Sequence, residues 1–274
     1  MAVYPDRPDR VPLVQSSESA DGLQAILATA DLGVGRNRVG FLVTTDQGIV
    51  SGPPVRVSSR FGDDVAQEVG TVYHPWPYGS RGLYTAELDF DRAGEWTLEI
   101  AVEEADGSTK RTELAFEVLD ERFAPTAGSE ALRSQSKTIR DVERLDQLVT
   151  GSIQDPDFYQ LTIAEAVTSG RPTVVVFASP AFCINQVCGP QIEVLQELKN
   201  AYKGEANFVH VDLYDNPDQI QGDPDSARIN PTVREWRLIG IEWSFVIDAD
   251  GMVASAFEAF VDLDELEAAL VEVL

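Results

Sequence analysis

A chain of 274 residues, 43% of them hydrophobic, is long enough for two ordinary cores and too apolar for disorder. Against 46 acidic residues stand only 21 basic ones, a formal charge of −25. That charge excludes a nucleic-acid binder, which needs a basic footprint for phosphates, and disfavours anionic membrane surfaces. No apolar run approaches the ~20 residues that span a bilayer, and Met1-Ala2-Val3-Tyr4-Pro5-Asp6-Arg7 lacks the apolar stretch of a signal peptide. The chain is then either cytosolic or begins after an export signal or lipid anchor.

Residues 1–19 are rich in Pro, Asp, Arg and Ser, with Pro-Asp-Arg-Pro-Asp-Arg at 5–10, and read as a flexible lead-in. Residues 20–119 hold short alternating runs, at 23–32, 38–45, 55–59, 70–73, 83–89, 96–103 and 111–118. In the last run Leu114, Phe116 and Val118 alternate with Glu113, Ala115 and Glu117, as on a half-buried strand. Asp106-Gly107 ahead of it predicts a tight hairpin. Seven strands in this span predict an all-β, immunoglobulin-like sandwich.

Residues 120–137 change character, with Pro125, Gly128 and several Ser and Thr, and read as an interdomain linker. The remainder, 138–274, alternates helix and strand. The pattern predicts a helix over 161–169, a strand at Thr173-Val174-Val175-Val176-Phe177-Ala178, a helix over about 188–202 and a strand over 207–213. Asn230-Pro231 reads as an N-cap and first residue of a short helix ending near Leu238. Two strands, 244–248 and 252–257, flank the hairpin signal Asp248-Ala249-Asp250-Gly251, and a final helix covers 263–271.

The only two cysteines, Cys183 and Cys188, are five apart in the loop between the strand ending at Ala178 and the helix expected from Cys188-Gly189-Pro190. A thiol at a helix N-terminus meets unpaired N–H groups and the positive end of the dipole, which favour its thiolate. The second thiol is near enough in sequence to resolve a mixed disulfide. Two other readings stay open. One is a structural bridge, which for so short a loop stabilises by only about 2 kcal/mol. The other is a soft-metal site of two thiolates and His210, although two histidines and two methionines make soft ligands scarce. Pro180 hints at a peroxide-reducing motif, but it stands one residue too far from Cys188 and the hydroxyl that motif wants is missing.

The C-terminal ~125 residues resemble the extracytoplasmic thioredoxin-like thiol–disulfide reductases, the group that includes cytochrome-maturation thioredoxins. The resemblance is carried by Val174-Val175-Val176-Phe177, by Cys188-Gly189-Pro190, and by Phe245-Val246-Ile247-Asp248-Ala249-Asp250-Gly251. It implies an α/β thioredoxin-like domain in which Cys188 attacks and Cys183 resolves, Gly189 and Pro190 set the helix start, and Glu242 or Trp243 occupies the place of the family's cis-proline. Two departures stand out. The resolving position three residues after Cys188 holds Gln191, so the pair is Cys-x4-Cys, and neither Glu242 nor Trp243 is proline. A carboxylate at Glu242 near a thiol would raise the thiol pKa. The N-terminal domain is similar to small extracytoplasmic immunoglobulin-like modules, through Leu83-Tyr84-Thr85-Ala86-Glu87-Leu88 and Ala93-Gly94-Glu95-Trp96-Thr97-Leu98.

Together these readings imply an extracytoplasmic, two-domain protein, an immunoglobulin-like sandwich followed by a thioredoxin-like domain. It would exchange disulfides with a protein substrate and a redox partner protein, without cofactor, metal or nucleic acid. The alternative is a non-catalytic binding or assembly module with a thioredoxin fold and a static disulfide.

Overall fold

The computed structural model describes every residue except Met1, Val65, residues 78–80 and 182–189, Gln221 and Ile241, and the side chain of Pro224. Two compact units are present, one built on Pro12–Arg122 and one on Tyr4–Val11 with Phe123–Leu274.

The first unit is made of strands. These are β1 (Gln24–Leu27), β2 (Gly35–Thr45), β3 (Gly48–Ile49), β4 (Val55–Phe61), β5 (Gln67–Gly70), β6 (Val72–Pro75), β7 (Gly82–Phe90), β8 (Gly94–Glu103) and β9 (Thr109–Val118). One sheet runs β1-β2-β7-β6 with β3 added to β2, and the other runs β5-β4-β8-β9. The period-two pattern explains the pairing. In β8 and β9 the register sets Trp96 against Phe116 and Leu98 against Leu114, so the apolar residues of both strands share one face. That face meets Phe41, Tyr84, Leu88 and Phe90 of the other sheet in a single apolar core. The hairpin between β8 and β9 closes where Gly107 takes φ +84°, a left-handed conformation that glycine adopts without a Cβ penalty. The Asp106 carboxylate accepts the Ser108 N–H across the turn at 2.8 Å. The run expected as one strand at 70–73 is instead split at Thr71. Residues before it pair with β4 and residues after it with β7, so the chain changes sheets there.

The second unit contains α1 (Ile163–Val167), β10 (Thr173–Ala178), α2 (Gln191–Ala201), β11 (Asn207–Val211), α3 (Pro217–Ile220), α4 (Pro231–Glu235), β12 (Glu242–Ile247), β13 (Val253–Glu258) and α5 (Leu263–Val271). Its sheet has the order β11-β10-β12-β13. The pair β10·β11 is parallel, whereas β10·β12 and β12·β13 are antiparallel. All six residues of β10 and all six of β12 are buried, which fits the apolar run 174–178 of β10, while β12 also buries Glu242 and Ser244. Trp236 is fully buried against Phe177 and Phe245, with ring centroids 5.3 and 4.8 Å away. Its indole N–H donates to the Ser134 hydroxyl at 2.9 Å. Short side chains start the helices. Thr162 accepts the Glu165 N–H at α1, Asn230 the Thr232 N–H at α4, and Asp262 the Glu265 N–H at α5.

The expected order of an all-β immunoglobulin-like sandwich followed by an α/β thioredoxin-like domain is corrected by this arrangement. The chain is predominantly β, 36% strand against 18% helix, in three sheets rich in antiparallel pairs. No thioredoxin-like α/β fold is shown, and the resemblance to thioredoxin-like reductases does not carry over to the fold. The physical reason lies in helix length. A helical layer that covers a sheet face needs several turns, yet α1 and α4 have five residues each and α3 has four. The helix expected over 161–169 spans only Ile163–Val167, and the one expected to reach Leu238 ends at Glu235, with Arg237 at φ +53°. The reading of periodicity overestimated helix wherever a cap and a few apolar residues sufficed for one turn.

Within the second unit, Tyr4–Val11 is held in place, although the sequence suggested a flexible lead-in there. The Tyr4 hydroxyl donates to the Leu238 carbonyl at 3.0 Å, and the Gly240 N–H donates to the Pro8 carbonyl at 3.1 Å. The Arg237 guanidinium lies over the rings of Tyr4 and Phe123, at 5.8 and 5.1 Å.

Replacing Trp236 by alanine removes the largest fully buried side chain of this core. The substitution is expected to lower unfolding stability by about 3–5 kcal/mol, seen as a lower urea midpoint by circular dichroism. An unchanged midpoint would contradict the packing described.

Candidate functional site

The segment that carries the cysteines leaves β10 at Ala178 and reaches α2 at Gln191. Cys183, Cys188 and Gly189 lie within residues 182–189, outside the described residues. What the structure places are the two roots of that segment.

The first root is Ser179-Pro180-Ala181. The Ala181 N–H donates to Thr150 Oγ1 at 3.2 Å, and the hydroxyls of Thr150 and Ser179 are 3.0 Å apart. Thr150 in turn donates both its N–H and its O–H to Asp212 Oδ2, at 2.7 and 2.8 Å. The other carboxylate oxygen accepts the Tyr214 N–H at 3.0 Å. With its single proton given to Asp212, Thr150 receives the Ala181 N–H on a lone pair. Gly151 makes the approach possible. At φ +87° it lies so close to Pro180 that an added Cβ would sit 2.9 Å from the proline Cβ.

Asp212 follows the last residue of β11 and is 1% exposed. Burial pushes its carboxyl up to about 6, and the bonds from Thr150, Tyr214 and Ser179 only partly offset that. His210, two residues earlier on the same face, is equally buried. Its Nε2 is 3.0 Å from the Ala178 carbonyl, which can only accept, so Nε2 carries the proton and Nδ1 receives the Tyr159 hydroxyl at 2.6 Å. Burial holds the imidazole down at about 4 and pushes the Tyr159 phenol up. The sequence offered His210 as a soft-metal ligand beside the two thiols. Its partners are a tyrosine hydroxyl and a backbone carbonyl, and with both ring nitrogens engaged the imidazole offers no free lone pair to a metal.

At the second root, Pro190 is buried at the N-cap of α2 and its side chain supplies no capping bond. Gln191 clamps the helix start instead. Its amide nitrogen donates to the Val261 carbonyl at 3.2 Å, and its oxygen accepts the Val261 N–H at 3.0 Å. Two turns later Lys199 anchors α2 to Asp155 and, at 3.2 Å, to Asp157, with its ammonium over the Phe158 ring. Desolvation lowers the lysine pKa, but the bonds to the two carboxylates outweigh it and the net direction is upward.

Glu242 and Trp243 open β12, and both are buried. Glu242 lies opposite Ala178 across the strand pair. The Trp243 indole N–H donates to the Ile239 carbonyl at 2.7 Å, and its ring stacks on Phe245. The structure therefore brings Glu242 beside the end of β10, while Pro190 marks the start of α2. Sequence reasoning missed Asp212, Thr150, Ser179 and Tyr159. An aspartate ending the apolar run Phe208-Val209-His210-Val211 was a usable signal for Asp212. Thr150, 62 residues away from it, carried none.

No known protein family, curated protein or solved structure matches the chain.

Asp212 and His210 should bend the pH dependence of stability in opposite directions. A buried acid with a raised pKa is protonated when folded and ionised when unfolded between about pH 4 and 6, so its contribution is lost as pH rises. A buried imidazole with a lowered pKa is neutral when folded and protonated when unfolded between about 4 and 6.5, so its contribution is lost as pH falls. Each effect is on the order of 3 kcal/mol, and the two nearly cancel. Relative to the native chain, Asp212→Asn is expected to gain stability as pH rises from 4 to 6, and His210→Gln to lose it. Urea titrations at pH 4, 5 and 6 check both signs, and parallel curves for all three proteins would refute the assignment.

Proposed function

We propose that this protein carries out thiol–disulfide exchange through Cys183 and Cys188, with a protein thiol or disulfide as substrate. What carries the reading is that the only two cysteines of the chain fall in one segment whose roots are held by hydrogen bonds to distant parts of the chain. A segment held at both ends limits the separation of two thiols within it. The eleven-residue helix α2 begins three residues after Cys188 and supplies the partial positive charge that favours a thiolate.

The chemistry runs as follows. The Cys188 thiolate attacks one sulfur of a substrate disulfide, forming a mixed disulfide and releasing the first substrate thiolate, which takes up a proton. The Cys183 thiolate then attacks the Cys188 sulfur, releasing the second substrate thiolate and leaving a Cys183–Cys188 disulfide. A dithiol redox partner protein returns the two electrons and two protons. Gly189 and Pro190 set the chain direction into α2 in this scheme, and Glu242 and Trp243 form the buried strand beside the end of β10. The scheme fits an extracytoplasmic setting, where protein disulfides persist as substrates.

Cys188→Ser is expected to lower the rate of insulin disulfide reduction at least 100-fold, and Cys183→Ser to accumulate the mixed disulfide as a covalent species on non-reducing gels. Wild-type turnover in Cys188→Ser would remove the exchange reading. A couple below about −300 mV in a glutathione titration would replace it with a static bridge in a binding or assembly module.

A further inference from the structure

We propose that the outer face of the sheet β5-β4-β8-β9 carries a binding site for a small zwitterion, an α-amino acid, held between Arg111 and the carboxylates of Glu99 and Glu103. The site lies wholly within the first unit and uses none of the residues of the exchange reading.

The hollow follows from strand register. Ala101 of β8 stands directly between Arg56 of β4 and Arg111 of β9. Its same-face neighbours on β8 are Glu99 and Glu103, two residues to either side. A methyl group ringed by four long side chains leaves a depression with Ala101 at its floor. The volume is about 360 Å³, within the roughly 300–1,000 Å³ of small-molecule sites. Ser58, Glu68 and Thr109 complete a polar rim.

The pairing of charges around the hollow selects the ligand. Arg56 pairs with Glu103 at 2.9 Å and with Glu68 at 3.7 Å, and Arg60 pairs with Glu99 at 2.9 Å and with Glu113 at 3.7 Å. Each of these arginines serves two carboxylates. Arg111 serves none, because among the described residues its guanidinium has no acidic partner within 4.0 Å. Its backbone is fixed, with the N–H donating to Asp21 Oδ2 at 2.8 Å. In a chain with 46 acidic and 21 basic residues, a guanidinium without a carboxylate stands out.

One hollow thus offers a cation that lacks an anion and carboxylates that share their cations. A simple anion would answer the first and be repelled by the second, and a simple cation the reverse. A molecule carrying both charges answers both and leaves the net charge unchanged. Arg111 lies opposite Ala101, so Glu99 and Glu103 are its diagonal neighbours, roughly 7 Å away. A ligand carboxylate would meet the Arg111 fork bidentately, and the adjacent ammonium would donate to Glu103 and Glu99.

The test titrates the nitrogen-15-labelled full chain with L-glutamine, whose side chain is polar and uncharged. The Ala101 and Arg111 amide signals should shift saturably, with half-saturation at or below about 5 mM. Arg111→Gln should weaken binding about tenfold, the loss of one charge-assisted pair, and Glu103→Gln roughly threefold. Ala101→Leu fills the floor and should abolish saturation. N-acetyl-L-glutamine lacks the ammonium and L-glutaminamide lacks the carboxylate, and each should bind about tenfold more weakly. Absence of saturation by about 50 mM overturns the proposal, as does unchanged affinity in Arg111→Gln or Ala101→Leu. Equal binding of either blocked analogue also overturns it, by showing a site for a single charge. The titration involves no thiol chemistry, so its failure and that of the exchange assay are independent.

Discussion

The second unit depends on the burial of β10 on both faces. A strand with no solvent-facing residue satisfies its backbone only through neighbouring strands, and it meets polar chemistry only where it ends. At Ala178 that ending is abrupt. The carbonyl of Ala178 is taken by His210, the next residue, Ser179, reaches Thr150, and Ala181 does the same through its N–H. Groups that would otherwise be stranded in the interior are thus collected into one network, drawn from β11, from the turn at Thr150 and from the 3-10 turn carrying Tyr159. The cysteine segment begins where this network ends.

Satisfying the strand end has an electrostatic consequence. Asp212 and His210 are both buried, and each is pushed toward its neutral form by desolvation. Because one is an acid and the other a base, their linkage to pH has opposite signs over nearly the same range. The interior therefore tolerates two ionisable groups without a steep net dependence of stability on pH, and leaves a carboxyl with a raised pKa beside the chain that leads to Cys183. The first unit handles charge differently. On the outer face of the sheet β5-β4-β8-β9, Arg56 pairs with Glu68 and Glu103, and Arg60 with Glu99 and Glu113. These pairs are mostly exposed and each contributes little, so that unit is held by its apolar core, and the surface pairs serve mainly to keep like charges apart.

Much of the strand content was legible in the sequence. The runs expected at 83–89, 96–103 and 111–118 are β7, β8 and β9 to within two residues, because side-chain alternation is a direct record of which face is buried. Caps were legible too, as at Asn230. Helix length was not. The same cap and the same few apolar residues serve a one-turn helix and a four-turn helix, and packing against the sheet decides between them. That ambiguity produced the expectation of an α/β domain, which the prevalence of strand and the brevity of α1, α3 and α4 correct.

The candidate site divides along the same line. The sequence by itself determined that both thiols share one segment between a buried strand and a helix, since this is a matter of covalent order and of hydrophobic pattern. Only the tertiary structure decided what stands at the roots of that segment. Thr150, Ser179 and Asp212 come together from three separate parts of the chain, and no local pattern marks a residue whose partner is 62 positions away. Hydrogen bonds between distant segments are selected by the need to pair every buried polar group after the chain has collapsed, and that need exists only in three dimensions.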